Sequence, residues 1–272
     1  MNKSIPERNT YISLMQARAL GEAPEMGSAI RMAGIIMKLL GNDVAGQIRL
    51  LDIGCAAGHY LRSIASQISS ANIHYTGIDI DPGMIQAANE VWNHNKSKYR
   101  NLETQFIQSP IENLSSLGLQ PADVVFCANA FMYFPRPKKV IEDMLKLSKK
   151  HCVIRSYFCS QTFIIKRAQP SELHPHLDIE EKDILDEFGE PLRYYHWNIY
   201  SQKLIEHFVK SGNTGWTMDW EDDQNPTQSM QEETQAGIQK FDATEVWNNQ
   251  EIVYPFILPW KYAVMTKITK ET

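Results

Sequence analysis

The stretch RLLDIGCAAGHYLRSIASQ, residues 49–67, changes periodicity at a glycine-containing turn. A short apolar run precedes Gly54, and apolar residues at helical spacing follow Gly58. This change is typical of a β-strand that enters an α-helix through a tight turn. Such a turn places backbone N–H groups and a helix N-terminus at the carboxyl edge of a parallel sheet, where nucleotide-like ligands bind.

The rest of the chain continues the alternation of strands and helices. Strands that are apolar on both faces and alternate with helices indicate a mostly parallel sheet covered on both sides. The sequence therefore predicts a doubly wound α/β fold. The predicted helices cover residues 8–40 (with a break near 21–24), 60–68, 82–93, 140–147 and 201–210, and the predicted strands 48–53, 74–80, 103–107, 123–128, 152–158 and 214–220.

Composition and charge narrow the class of protein. The 272 residues are 43% hydrophobic and 22% charged, as in an ordinary globular protein. A net charge of -5 gives no general attraction to nucleic acid or to anionic membranes, so neither is expected as a partner. The four cysteines contain no CxxC pair and are expected as reduced thiols. We find no leader peptide and no apolar stretch of membrane-spanning length, and expect a cytoplasmic protein.

The spacing Asp52-x-Gly54-x-Ala56-x-Gly58 argues against a dinucleotide. A dinucleotide fingerprint normally has glycine at the middle position, so that the backbone can approach a pyrophosphate. Asp52 would repel a pyrophosphate but suits a cationic or amine-bearing ligand. Asp79, at the end of the second strand, is where a carboxylate usually accepts the two ribose hydroxyls of an adenosine. Asp81, directly before Pro82, is predicted to cap a helix.

Four motifs together resemble the class I S-adenosylmethionine-dependent methyltransferases. LLDIGCAAGHYL is similar to the first motif of that family and YTGIDIDPGMIQAA to the second, while ADVVFCANAFMYFP and HCVIRSYF are similar to the fourth and fifth strands. The resemblance implies a Rossmann-like fold with a seven-stranded sheet and S-adenosyl-L-methionine as cofactor. The cofactor-binding residues that it implies are Asp52, Gly54, Cys55, Ala56, Gly58, Asp79, Ile80, Ile111, Glu112 and Asn129.

The chain departs from the family pattern after the third strand. The family commonly has an acidic residue there for the adenine amine, and this chain has Ser109-Pro110. Glu112 or Gln108 is the substitute that we expect, with Ile80 and Ile111 against the faces of the adenine ring.

We predict a single domain over residues 1–272, with four parts. By resemblance, a lid of N-terminal helices, with Tyr11 or Arg18 as cofactor contacts, folds over the cofactor. Together with the insertion after the fifth strand, this lid would enclose a small substrate. The parts are a helical lid (1–44), a cofactor-binding core (45–160), an insertion that covers the substrate (161–197), and a C-terminal helix with the last strands (198–272), which includes a polar insertion at about 222–250.

The predicted function is methyl transfer to an oxygen or nitrogen atom of a small molecule. The candidates for catalysis are Asn129, Tyr133, His174 and His196, although Asn129 also fits the capping of a strand end. The cluster HPHLD at residues 174–178 is interpreted as a polar loop, and no metal is expected. Two alternatives stay open: an NAD(P)-dependent oxidoreductase of the same fold, and a methyltransferase-like binding subunit without catalysis.

Overall fold

The structure is a computed structural model. It describes residues 5–41, 46–68, 71–164, 166–168, 194–196, 198–212, 215–223, 244–247, 250–253, 256–258 and 260–268. The helices are α1 (Ile5–Leu20), α2 (Gly27–Leu40), α3 (His59–Gln67), α4 (Pro82–His94), α5 (Pro137–Leu147) and α6 (Gln202–Gly212). The strands are β1 (Gln47–Ile53), β2 (Asn72–Asp79), β3 (Leu102–Gln108), β4 (Ala122–Ala128), β5 (Ser148–Cys159), β6 (Lys166–Ala168), β7 (Tyr194–His196), β8 (Tyr200–Ser201), β9 (Trp216–Asp222), β10 (Thr244–Trp247), β11 (Gln250–Val253), β12 (Phe256–Leu258) and β13 (Trp260–Lys267).

The central sheet has the strand order β3-β2-β1-β4-β5-β13-β9, and β8 pairs with the end of β5. Strands β1 to β5 run parallel to one another, whereas β13 is antiparallel to both β5 and β9. The order reverses between β1 and β4, which creates the crevice at the carboxyl edge where α/β sheets bind ligands. The predicted doubly wound, mostly parallel fold is confirmed.

Two hydrophobic clusters cover the two faces of this sheet. One cluster joins α2 and α3 to the sheet through residues such as Ile36, Leu61 and Phe126. The other joins α5 and α6 to the opposite face through residues such as Ile141 and Ile205. Because both faces are buried at the centre of the sheet, β4 and the second half of β5 are continuous apolar runs, as the sequence predicts for a parallel sheet, whereas the edge strands β3 and β9 are more exposed.

The capping prediction for Asp81 is confirmed. Its Oδ1 accepts hydrogen bonds from the backbone N–H groups of Gly83 (2.8 Å) and Met84 (3.3 Å) at the start of α4. Pro82 occupies the first helical position, where its missing N–H costs nothing.

The insertion after β5 gives no confident strand signal in the sequence. The described part of it forms a two-stranded antiparallel ribbon of β6 and β7. The polar insertion likewise includes β10, which pairs with β11 in a small antiparallel sheet completed by β12. These strands have three or four residues, which is too short for a period-two pattern to be recognised in the sequence.

The cysteine thiols are free, as expected. Cys55, Cys127 and Cys152 are buried, whereas Cys159 at the end of β5 is partly exposed. Among the described residues, no helix is long and apolar enough to cross a membrane.

Candidate active site

The turn between β1 and α3 is built from left-handed backbone. Gly54 (φ 78°), Ala56 (φ 47°) and Gly58 (φ 72°) all have positive φ angles. The N–H groups of Gly54 and Cys55 donate to the Ile78 carbonyl at 2.8 and 3.0 Å, which fixes the turn to the end of β2. Ala56 adopts this conformation without the freedom of glycine, at a cost of about 1–2 kcal/mol.

The turn after β4 lies directly against Gly54. A Cβ atom placed on Gly54 would lie 2.4 Å from the Cβ atom of Ala130. A Cβ atom on Gly58 would lie 2.7 Å from Nε1 of Trp92. Glycine is therefore required at both positions by close approach as well as by φ, and the β1 and β4 turns form one compact edge of the crevice.

Asp79 supports the same turn from the end of β2. Its Oδ2 accepts from the Ala56 N–H at 2.8 Å, and its Oδ1 accepts from the Asp81 N–H at 2.9 Å. Burial raises the pKa of Asp79, while these backbone hydrogen bonds act in the opposite direction. Since each carboxylate oxygen offers two lone pairs, both oxygens keep acceptor capacity for a ligand.

Asp52 lies below the turn, inside the protein. It is only 2% exposed, and Tyr75 donates a hydrogen bond from its hydroxyl to Asp52 Oδ2 at 2.6 Å. Burial raises the pKa of the Asp52 carboxyl to about 7, and the nearby charge of Asp79 acts in the same direction. The side chain of Cys55 also points inward, since its Sγ atom would lie 2.8 Å from a Cβ atom on Gly77. Only the backbone of Cys55 is left to face a ligand.

His59 begins α3, directly after Gly58. The side chain is 8% exposed, and its Nδ1 has no hydrogen-bond partner among the described residues. Burial lowers the pKa of His59 to about 3, and the charge of Arg18, which is 2% exposed, lowers it further. A neutral imidazole, a buried guanidinium and a helix N-terminus thus lie together, a combination that suits a carboxylate.

Helix α1 packs on the turn between β1 and α3. Tyr11, Ile12 and Leu14 belong to a cluster that also contains Ala56 and Ala57 of the turn. Met15 of α1 and Met84 of α4 complete the cluster. Helix α1 therefore covers the turn that the sequence assigns to the cofactor.

The residues expected around adenine lie at the ends of β2 and β3. The side chain of Ile80 is 64% exposed, which is unusual for isoleucine at the end of a buried strand. Ser109 is buried, and its N–H donates to the Asp79 carbonyl at 2.9 Å, so that it extends the β2–β3 pairing. Ile111 is partly buried against the core, whereas Gln108 and Glu112 are exposed. Ile80 thus offers a free apolar surface, and Ile111 is already packed.

Asn129 follows β4 with a left-handed backbone (φ 61°) and is held at both ends of its amide group. Arg155 donates from Nη1 to Asn129 Oδ1. Asn129 Nδ2 donates to the Tyr60 hydroxyl at 3.1 Å, and this hydroxyl donates to Ser28 Oγ at 2.8 Å. Arg155 and Tyr60 thus use one lone pair of Oδ1 and one hydrogen of Nδ2, and the second of each is left for an acceptor.

The structure describes the other predicted catalytic residues to different extents. Tyr133 is partly buried beside Met132. His196 lies on β7, for which only the backbone is described, and His174 lies outside the described residues, as does the whole HPHLD cluster. Within the described part of the chain, no group of histidine, cysteine and carboxylate side chains could hold a metal ion.

Sequence reasoning missed His59 and Arg155. Arg155 is 1% exposed in β5, and its Nε and Nη2 donate to Asp223 Oδ2 at 2.8 and 2.6 Å. Its guanidinium lies 3.9 Å from the centre of the Trp260 ring. The signal was an arginine inside the apolar run HCVIRSYF, because an arginine is almost never buried unless it is paired.

The strand order, the strand-to-helix turn and the paired carboxylate at the end of β2 define a Rossmann-like nucleotide-binding protein. A family model for the methyltransferase domain matches residues 45–235. The chain belongs to this family, and the predicted class, an S-adenosylmethionine-dependent methyltransferase, is confirmed. The cofactor of that class is S-adenosyl-L-methionine.

Solved structures of low sequence identity share the fold. The N-terminal domain of EvdMO1, crystallised with S-adenosylhomocysteine and D-fucose, is 11% identical with a TM-score of 0.51, over 90% of this chain and 85% of that one. The [4+2]-cyclase SpnF is 14% identical with a TM-score of 0.52, over 89% and 81%. A proposed class I methyltransferase of Listeria monocytogenes is 12% identical with a TM-score of 0.50, over 90% and 60%. No curated protein matches the chain.

Proposed function

We propose that this protein transfers the methyl group of S-adenosylmethionine to an oxygen or nitrogen atom of a small-molecule acceptor. The observation that carries the proposal is the turn between β1 and α3, whose Ala56 N–H is held by Asp79 at 2.8 Å. An alanine at the middle position and a carboxylate at the end of β2 suit an adenosyl ligand without pyrophosphate.

The methionine end of the cofactor fits the start of α3. A carboxylate there meets the N-terminus of the helix, the buried charge of Arg18 and the unpartnered Nδ1 of neutral His59. A sulfonium or ammonium group above Asp52 and Asp79 is attracted by the ionised carboxylates and in turn favours the ionised form of Asp52. The two charges of the amino acid part thus find opposite charges on two sides of one turn.

The adenosine end fits the edge formed by β2 and β3. The free lone pairs of Asp79 are acceptors for the ribose hydroxyls. The exposed side chain of Ile80 offers an apolar surface to one face of the adenine ring. Gln108 and Glu112, both exposed, are the candidates for the adenine amine in place of the usual acid.

The residues of the site have to align an acceptor and to exclude water. The cofactor supplies an electrophilic methyl group on a positively charged sulfur. In-line displacement needs the acceptor atom, the methyl carbon and the sulfur in a row, so positioning dominates over acid–base chemistry. Helix α1 covers the turn and would keep water out. Asn129 and Tyr133 are proposed to contact the acceptor, and His174 and His196 are the candidates for a general base when the acceptor is a hydroxyl.

Calorimetry with S-adenosylhomocysteine and with NAD tests the cofactor. We expect saturable binding of S-adenosylhomocysteine and none of NAD. Asp79→Ala should raise the dissociation constant at least about tenfold, because it removes both the ribose acceptors and the support of Ala56. Asp81→Asn is the matched control, since asparagine also caps helices and the change leaves Asp79 in place. Binding of NAD alone would favour the oxidoreductase, and binding of neither a subunit without catalysis.

Transfer of a labelled methyl group tests the acceptor. The protein is incubated with methyl-labelled S-adenosylmethionine and a cell extract that has been separated into metabolites, proteins and nucleic acids. The proposal predicts that label enters the metabolite fraction and is lost in the Asp79→Ala variant. Label that enters only proteins or nucleic acids would contradict a small-molecule acceptor.

A further inference from the structure

We propose that Arg155 is a positioning residue for the cofactor site. This proposal rests on the proposed function above. It holds the turn after β4 in its left-handed conformation and thereby sets the approach of this turn to Gly54. Arg155 itself lies below the site and is assigned no contact with the cofactor.

The burial of Arg155 shows that its guanidinium has internal partners. The residue is 1% exposed, and its charge is balanced by Asp223, which accepts from Nε and Nη2. The centres of the Trp260 and Tyr262 rings lie 3.9 and 5.8 Å from the guanidinium carbon, at the distance of cation–π contacts. These contacts fix the direction of Nη1, which is the nitrogen that reaches Asn129.

Arg155 binds Asn129 through both the main chain and the side chain. The Asn129 N–H donates to the Arg155 carbonyl at 3.1 Å, while Nη1 of Arg155 donates to Asn129 Oδ1. The backbone at Asn129 has a φ of 61°, a left-handed conformation that asparagine adopts more readily than other non-glycine residues but less readily than glycine. The surrounding contacts favour this conformation, and Arg155 supplies two of them.

The turn at Asn129 places Ala130 in close contact with Gly54, in the turn between β1 and α3. The Cβ atom of Ala130 would lie 2.4 Å from a Cβ atom on Gly54, so no space remains between the two turns. Any relaxation of Asn129 toward ordinary φ values moves Ala130 relative to Gly54. The shape of the site at the start of α3 thus depends on a side chain beneath it.

Arg155→Lys tests this role. The lysine ammonium still neutralises Asp223, but lysine lacks the planar guanidinium whose Nη1 reaches Asn129. We expect the dissociation constant of S-adenosylhomocysteine to rise about tenfold. In an Asn129→Gly background, glycine adopts the left-handed conformation unaided, and Arg155→Lys should then change the constant by less than about threefold. Ile205→Val, which shortens a fully buried side chain of α6 on the opposite face, is the control for a general loss of stability.

The results separate positioning from a structural role. A tenfold effect that persists in the Asn129→Gly background, or an equal effect of Ile205→Val, would overturn the proposal. Should Arg155→Lys fail to fold, Asn129→Ala keeps the ion pair and is expected to weaken binding to the same degree; unchanged binding would overturn it.

Hydrogen exchange keeps the test independent of the cofactor. Arg155→Lys, or Asn129→Ala in its place, should accelerate amide exchange in peptides that cover residues 53–58 and 128–132, and leave a peptide of α6 unchanged. If the wild-type protein binds no S-adenosylhomocysteine, the proposed function fails while this comparison still decides the role of Arg155. Exchange that is unchanged in both turns would overturn the proposal.

Discussion

The carboxyl group of Asp52 should make the stability of this protein fall as the pH rises. Burial raises its pKa from the ordinary value of 3.8 to about 7. The folded protein therefore binds this proton more tightly than the unfolded chain, and the resulting stabilisation is complete below pH 3.8 and is lost as the pH rises through 7. A shift of about three pKa units corresponds to about 4 kcal/mol, of which about 2–3 kcal/mol falls between pH 5 and pH 8.

The isosteric change Asp52→Asn removes the titration and keeps the contact. The asparagine Oδ1 can accept the hydrogen bond from the Tyr75 hydroxyl that Asp52 Oδ2 accepts at 2.6 Å. The variant should therefore gain stability relative to the wild type as the pH rises, by about 2–3 kcal/mol from pH 5 to pH 8.

Urea unfolding of both proteins at pH 5, 6, 7 and 8 measures this difference directly. Taking the difference between the two proteins removes the contribution of the titrating groups that do not interact with Asp52. Free energies of unfolding that change in parallel with pH would refute the reasoning, since Asp52 would then have the same pKa in the folded and unfolded protein.

Three further substitutions test the turns of the site. Gly54→Ala combines a positive φ with a 2.4 Å approach to Ala130, so we expect a loss of at least about 2 kcal/mol in urea unfolding and no calorimetric binding of S-adenosylhomocysteine. Ala56→Gly removes the strain of the left-handed backbone but raises the conformational entropy of the unfolded chain. Stability should therefore change by less than about 1 kcal/mol, and binding should persist. Asp81→Ala removes the cap of α4 and should cost about 1 kcal/mol in thermal unfolding, with binding changed by less than about threefold. Unchanged stability of the first or third variant, or lost binding in the second, would count against these interpretations.

The fold and the turn between β1 and α3 were predictable because their signals are local. The change of period around Gly54 marks one strand, one turn and one helix, and Asp79 lies at the end of the next strand. The parallel pairing of β1 with β2 then brings the carboxylate to the turn without further information. The cap at Asp81 is equally local, since it depends on residues two and three positions away.

The hydrogen-bond network around Asn129 and Arg155 was not predictable because its contacts join distant segments. The chain of hydrogen bonds from Ser28 through Tyr60, Asn129 and Arg155 to Asp223 joins segments that are far apart in the sequence. No periodicity connects them, and only the charge of Arg155 within an apolar strand pointed to a buried network.

The inward direction of Asp52 was hidden for a different reason. Both faces of β1 are buried, so the strand lacks the alternation that would tell which side chains point toward a ligand.

The position of β13 has a consequence for how the protein is made. The strand lies between β5 and β9, and Trp260 and Tyr262 at its start enclose the guanidinium of Arg155. Roughly 100 residues separate the end of β5 from the start of β13, which corresponds to about 5–20 s of ribosomal synthesis. During that interval most of the edge of β5 lacks its partner strand, and the guanidinium of Arg155 has Asn129 and later Asp223 but not yet the two rings. The nascent chain is therefore open to aggregation and to chaperones until residues 260–267 have emerged.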